Sequence, residues 1–201
     1  MKPLLRFACL LIFLGFNKSY GQYEFNLGLM APSGDTKYLL KPAPSFEFVF
    51  NTGDVDSHYH FGASIGYCRL SPTQDTFKTY AVGGAVLPGY EVIHSYELYP
   101  IGLRNEFTFF PDKKFSPILA LDLYFYVISI SDDYYAETLI QSSITNDTYW
   151  ALAIIPRIGL QYELNDQISL TGGFGRSMSF TGTVDAQSYW KTYIGIKYYI
   201  N

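Results

Sequence analysis

Tyr59-His60-Phe61-Gly62-Ala63-Ser64-Ile65-Gly66-Tyr67-Cys68 alternates without a break. Tyr59, Phe61, Ala63, Ile65 and Tyr67 fall on one face, and His60, Gly62, Ser64, Gly66 and Cys68 on the other. A period of two is that of a β-strand. The pairing of faces says more: one is large and apolar, the other small or polar. A strand between lipid and a filled lumen needs that pattern, whereas a sandwich core would need large aliphatics where this segment has glycine and serine.

Seven further segments read the same way. The apolar faces, in chain order, are Tyr23, Phe25, Leu27 and Leu29; Phe46, Phe48 and Phe50; Tyr99, Ile101, Leu103, Phe107 and Phe109; and Leu119, Leu121, Leu123, Phe125 and Val127. They continue with Trp150, Leu152, Ile154, Ile158, Leu160, Tyr162 and Leu164; Ile168, Leu170, Phe174, Met178 and Phe180; and Trp190, Ile194, Ile196, Tyr198 and Ile200. Tyr23, Tyr59, Tyr67, Tyr99, Trp150, Tyr162, Trp190 and Tyr198 stand near the ends of these faces, where two aromatic girdles would lie. Short connections (52–56, 111–114, 165–167) alternate with long ones (31–42, 71–94, 130–149, 181–188). The prediction is all-β: an eight-stranded antiparallel up-and-down transmembrane β-barrel with both termini periplasmic and the long loops outside the cell. A soluble periplasmic or secreted β-sandwich is the runner-up; it would leave the apolar faces as a very large patch in water.

The start of the chain agrees with export. Lys2 and Arg6 precede an apolar run from Phe7 to Phe16, and Ser19-Tyr20-Gly21 offers a small-x-small cleavage site. That run is shorter than the ~20 residues of a spanning helix. Residues 1–21 are therefore expected to be a cleaved signal peptide and 22–201 a single barrel domain. Three of the 14 bases and none of the 18 acids lie in the leader, so the mature chain carries 11 bases, 18 acids and a formal charge of −7. Such acidity disfavours nucleic acid as a partner, and none is expected, because phosphate binding needs a basic stripe. Cys68 is left without a second cysteine and reads as a small apolar filler.

The inward positions carry most of the chemistry. Glu24, Glu47, Glu106, Asp122 and Glu163 face Arg104, Arg157, Lys191 and Lys197. An eight-stranded barrel is just wide enough for side chains, and buried charge is tolerated when paired. A structural lumen network is expected, in preference to a selective pore or proton path. His58 and His60, two apart, would point the same way, but no third ligand completes a metal site. His94 and Ser95 lie near the expected outer rim, yet adjacent strand residues face opposite ways, which disfavours a nucleophile–base pair. Asn146-Asp147-Thr148 matches a short glycosylation sequon, and Asp132 and Asp133 read as a solvated loop tip. Gly172-Gly173-Phe174-Gly175 precedes no helix and so cradles no phosphate. No catalytic residue, metal site or cofactor is expected.

Tyr96-Glu97-Leu98-Tyr99-Pro100-Ile101-Gly102-Leu103-Arg104, Phe115-Ser116-Pro117-Ile118-Leu119-Ala120-Leu121, Pro156-Arg157-Ile158-Gly159-Leu160-Gln161-Tyr162-Glu163-Leu164 and Tyr193-Ile194-Gly195-Ile196-Lys197-Tyr198 together resemble the strands of the PorT-like outer-membrane β-barrel family. Two departures stand out: the glutamate is one place nearer the tyrosine than in the family pattern, and the chain ends Tyr199-Ile200-Asn201. The resemblance implies an outer-membrane barrel of Bacteroidota type, some of whose relatives assist protein secretion, and it carries over no functional residue. The expected function is a non-enzymatic barrel with a filled polar lumen and external loops for surface binding or envelope stability. An accessory of protein secretion is the alternative, and a membrane-embedded lipid-modifying hydrolase the third. Expected partners are outer-membrane lipid, the barrel assembly machinery during biogenesis, and a secretion or surface partner.

Overall fold

A computed structural model describes residues 21–53, 56–74, 76–79, 89–136, 142–180 and 188–200. Within them lie nine strands: β1 (Gly21–Ser33), β2 (Ala43–Thr52), β3 (Tyr59–Leu70), β4 (Phe77–Thr79), β5 (Gly89–Thr108), β6 (Phe115–Ala136), β7 (Ser142–Asn165), β8 (Ile168–Ser179) and β9 (Ser188–Ile200). A 3-10 helix, Gly34–Tyr38, follows β1. All pairings are antiparallel. Eight strands run β3-β2-β1-β9-β8-β7-β6-β5, and β3 pairs back onto β5. The sheet thus closes into an eight-stranded barrel, which removes the edges an open sheet would expose. The first and last strands form one seam, from Gly21↔Ile200 to Ser33↔Ser188.

Two of these pairings are interrupted at a proline, which has no N–H to give the ladder. Register between β3 and β5 skips from Ile65↔Ile101 to Cys68↔Leu98, around Pro100. Between β7 and β8 it skips from Ile154↔Met178 to Arg157↔Gly175, around Pro156. At the first break the Pro100 ring lies where a side chain at position 66 would go; a Cβ on Gly66 would come within 2.9 Å of Pro100 Cγ.

The faces follow the alternation. Phe25, Leu27, Phe61, Leu103, Leu119, Leu160, Leu170 and Ile196 are exposed on the outer wall. Cross-strand register sorts the expected girdle into two rings. Tyr23 and Tyr198 stand opposite each other near the chain ends, while Tyr59 opposes Phe107 and Tyr162 opposes Phe115 beside the short turns. Towards the other end, Trp150 stacks on Phe125 at 5.7 Å, Tyr67 meets Tyr99 at 5.3 Å, and the Arg176 guanidinium lies 5.5 Å over Trp190.

Element bounds depart from the sequence reading at the long-loop end. The expected second and third loops, 71–94 and 130–149, are largely strand: β4 lies inside the first, β5 begins at Gly89, β6 runs to Ala136 and β7 starts at Ser142. Beyond an apolar layer a strand needs no apolar face, so pairing continues after the alternation stops. The leader reading, residues 1–21, falls outside the described residues except for Gly21, which begins β1. Asp54 and Val55 of the first short turn also lie outside them. In that turn Gly53 adopts φ +119°, a conformation open to glycine at little cost.

Candidate functional site

The lumen is the site to which the inward residues belong, and it is filled. Arg104 on β5 is its hub: Nη1 lies 2.7 Å from Glu24 Oε2 and Nη2 2.8 Å from Glu106 Oε2. Lys197 on β9 reaches Glu106 Oε1 at 2.6 Å and donates to Gln161 Oε1 at 3.1 Å. Thr171 donates to the second oxygen of Glu24 at 3.0 Å. One layer further from the chain ends, Lys191 sits 2.8 Å from Glu47 Oε1 and over the Tyr124 ring. Tyr124 donates its hydroxyl to Glu47, and Asn26 donates to the other Glu47 oxygen at 3.3 Å. Arg157 grips Asp122 through two contacts, Nε–Oδ2 at 2.6 Å and Nη2–Oδ1 at 3.0 Å, with its guanidinium over Tyr193.

The charges of this network balance. Glu24, Glu47, Glu106 and Asp122 meet Arg104, Arg157, Lys191 and Lys197, and each is at most 3% exposed. Six strands contribute, so the ion pairs tie the barrel across its width as well as along its hydrogen-bonded wall. Charge at such burial is tolerable because each acid has a base at contact distance. Glu163 stands apart. It lies partly exposed near the end of β7, beside the register irregularity between Glu163 and Asn165, and makes no ion pair among the described residues. Its place by the short turn gives it water in place of a cation.

Two further tiers border the network. Towards the short turns, His60 Nδ1 and Gln22 Nε2 lie 3.1 Å apart, and Tyr199 is joined by Gln161 at 2.7 Å and Ser169 at 3.3 Å. Towards the long loops the lumen is apolar: Met30, Cys68, Leu70, Leu98, Tyr126 and Ile155 pack together with Tyr96 and Tyr189, whose hydroxyls are 3.1 Å apart. Leu40 joins this cluster from the loop after β1. Its segment is fastened to the one after β3 by Lys41 N–H to Ser71 O and Thr73 N–H to Leu39 O, each 2.8 Å. This apolar tier is absent from the sequence reading. Its signal is there, because Met30, Leu98, Ile128 and Ile155 occupy inward positions by parity.

Other candidates resolve differently. His58 precedes β3 and does not share the direction of His60: its Nδ1 lies 2.9 Å from Thr108 O and its ring stacks on Phe107. His94 Nε2 contacts Asp133 Oδ2 at 2.9 Å, across to β6, at a register irregularity between Ile93 and Ser95. Asp132 and Asp133 lie on β6, and the sequon residues 146–148 on β7, all in strand where loops were expected. Among the described residues no group of three or more His, Cys, Asp or Glu side chains could hold a metal ion, and no helix is long and apolar enough to cross a membrane.

No protein-family model matches the chain, and no curated protein matches it. Solved structures do resemble it. Neisserial surface protein A superposes with a TM-score of 0.59 at 13% identity, covering 89% of this chain and 96% of that one. A major outer membrane protein of Thermus thermophilus gives 0.56 at 10% identity, covering 90% and 99%. The attachment invasion locus protein Ail of Yersinia pestis gives 0.51 at 9% identity, covering 92% and 100%. At such identities the likeness is one of fold: the chain is a closed eight-stranded antiparallel β-barrel of the kind seen in these small outer-membrane proteins.

Proposed function

We propose that this chain is a non-enzymatic, non-conducting barrel of the outer membrane, with both termini periplasmic and its long-loop end turned outward for surface binding or envelope stability. The observation that carries the reading is the inverted distribution of polarity. Leucine, isoleucine and phenylalanine cover the outer wall while four acids and four bases are buried inside it. In water that wall would be a very large apolar patch; against lipid it is the ordinary exterior of a spanning barrel. An even number of barrel strands, short turns at the end that holds both termini, and the leader-like residues 1–21 support the sidedness. The resemblance to the PorT-like family supports an origin in Bacteroidota. Lipid would then be the partner of the wall, and the barrel assembly machinery a partner during biogenesis.

Planar-bilayer recording of the purified mature protein tests the reading. The expected record is flat apart from leak, because an ion would have to displace paired charges and an apolar tier. Steady open conductance would overturn the filled lumen. A mature chain that stays soluble without detergent would overturn the membrane assignment itself.

A further inference from the structure

Three strands outrun the rest of the barrel. β5, β6 and β7 have 20, 22 and 24 residues, against 10 to 13 for β1, β2, β3, β8 and β9. β3 pairs with β5 as far as Leu70↔Tyr96, and β8 with β7 as far as Ser179↔Ala153. Beyond those points β5, β6 and β7 continue as a sheet of their own, out to Gly89↔Ala136 and Tyr135↔Ser142. Its two edges are treated differently. β4 covers the β5 edge by pairing Phe77, Lys78 and Thr79 with Glu91, Tyr90 and Gly89. On the side of β7 away from β6, no described residue pairs with 142–151; the last contact from β8 is Phe180 N–H to Leu152 O at 2.8 Å.

An open edge is a row of backbone donors and acceptors ready for another strand. Residues 142–151 would offer roughly 33 Å of it at ~3.3 Å per residue. The stretch contains no proline and no lysine, and its register with β6 is unbroken, so among the described residues neither proline, lysine nor a bulge blunts this edge. Its one charge is Asp147.

The charge of the projection narrows what could dock there. The parts of β5, β6 and β7 beyond the barrel carry Glu91, Asp132, Asp133 and Asp147 and no lysine or arginine. Asp147 opposes Ile130, which opposes the buried Tyr96, so it lies on the face that continues the lumen. Asp132 and Glu91 follow on that face. Burial and the nearby Asp132 carboxylate raise the pKa of Glu91. On the opposite face Asp133 already has His94 and the Tyr135 hydroxyl within 3.3 Å. Asp147 is exposed and accepts a hydrogen bond from Tyr149 at 3.2 Å. A second copy of this chain would bring like charges together, whereas a basic strand would meet opposite ones.

We propose that the edge of β7 that no described residue covers is a docking site for an extended, lysine- or arginine-rich polypeptide segment, which adds as a further strand beside 142–151 with a basic side chain opposite Asp147. Main-chain bonding supplies the attachment and the acidic face the preference, as in other strand additions. The inference deepens the surface-binding part of the function proposed above and rests on it.

The test uses the whole mature chain in detergent micelles and a labelled ten-residue peptide of alternating lysine and threonine, with binding read by fluorescence anisotropy. Saturable binding is expected, at least tenfold weaker for the same peptide N-methylated at alternate residues. Asp147→Lys should lose at least tenfold in affinity for the lysine peptide and gain affinity for a glutamate–threonine counterpart; Asp147→Ser should lose the first without gaining the second. The N-methyl comparison needs no protein variant, so it stands whatever the variants do. Equal binding of methylated and unmethylated peptides, affinity unmoved by both substitutions, or no binding at all would overturn the proposal. So would light scattering that shows a dimer abolished by Asp147→Lys, because the occupant would then be a second copy. Failure here leaves the membrane and lumen reading intact, since bilayer recording tests that separately.

Discussion

Arg104 shows how narrow the tolerance for charge is inside this lumen. Its guanidinium is fully buried and holds Glu24 and Glu106 at 2.7 and 2.8 Å. Removing it leaves two buried carboxylates to share Lys197, and breaking a buried pair by deleting one partner costs about 3–5 kcal/mol. Removing a pair together costs far less, because no charge is stranded. Arg104→Met should therefore lower the urea midpoint in lipid vesicles by an amount corresponding to about 3–5 kcal/mol, read by the fluorescence of Trp150 and Trp190. Adding Glu24→Gln should return more than half of that loss, since Glu106 and Lys197 remain as a matched pair at 2.6 Å. A double variant no better than the single would show that hydrogen-bond geometry, and not charge balance, governs the site.

At the scale of strands, glycine placement decides how closely two of them can carry large polar side chains between them. Gly195 on β9 faces Asn26 and Thr171; a Cβ there would come within 2.8 Å of Thr171 Oγ1 and 2.9 Å of the Phe25 carbonyl oxygen, with Asn26 Oδ1 nearer still. Gly172 on β8 meets nothing closer than 3.5 Å. Gly195→Ala should destabilise the barrel by about 1–3 kcal/mol, the usual cost of overpacking, while Gly172→Ala should be neutral or stabilise by up to ~1 kcal/mol through reduced chain entropy. Paired urea titrations in vesicles check this, and equal effects would sink the reading of the β1–β9 seam. Parity alone assigns both glycines to a face, as it does the eight barrel strands and Glu24, Glu47, Arg104 and Lys197. It reports direction, however, and not contents. Met30, Leu98 and Ile155 can be seen to point inward, but their assembly into one apolar tier depends on strand register, which a single sequence does not display. Parity also falls silent beyond Tyr96 and Trp150, where both faces of β5, β6 and β7 carry polar residues and no lipid enforces a difference. The extended strands consequently read as loops, and parity, which gives Glu163 its inward direction, does not report that it stands at the turn end of β7, partly exposed.

The whole molecule places two barriers in series along one axis. The charged tier blocks passage by filling the lumen with matched ion pairs; the apolar tier, beneath the Leu40 segment, blocks it by excluding water. The two tiers meet at Tyr124, which packs in the apolar cluster and donates its hydroxyl to Glu47, while Glu24, Arg104, Glu106 and Lys197 make no part of that cluster. Polar inward positions alternate with the apolar wall, and the mean hydropathy of the full chain is only +0.05. Opening the pore should then require relief of both tiers. Replacing Glu24, Glu47, Arg104, Glu106, Asp122, Arg157, Lys191 and Lys197 together by serine should leave planar bilayers silent, because Met30, Leu70, Leu98, Tyr96 and Tyr189 are untouched. Replacing Tyr96, Tyr126 and Tyr189 by alanine should also leave them silent, because the ion pairs remain. Only the combination should conduct. Single-channel recording of the three proteins decides it, and conductance from the serine variant alone would show that the aromatic cluster is no barrier and that the charges close the barrel by themselves.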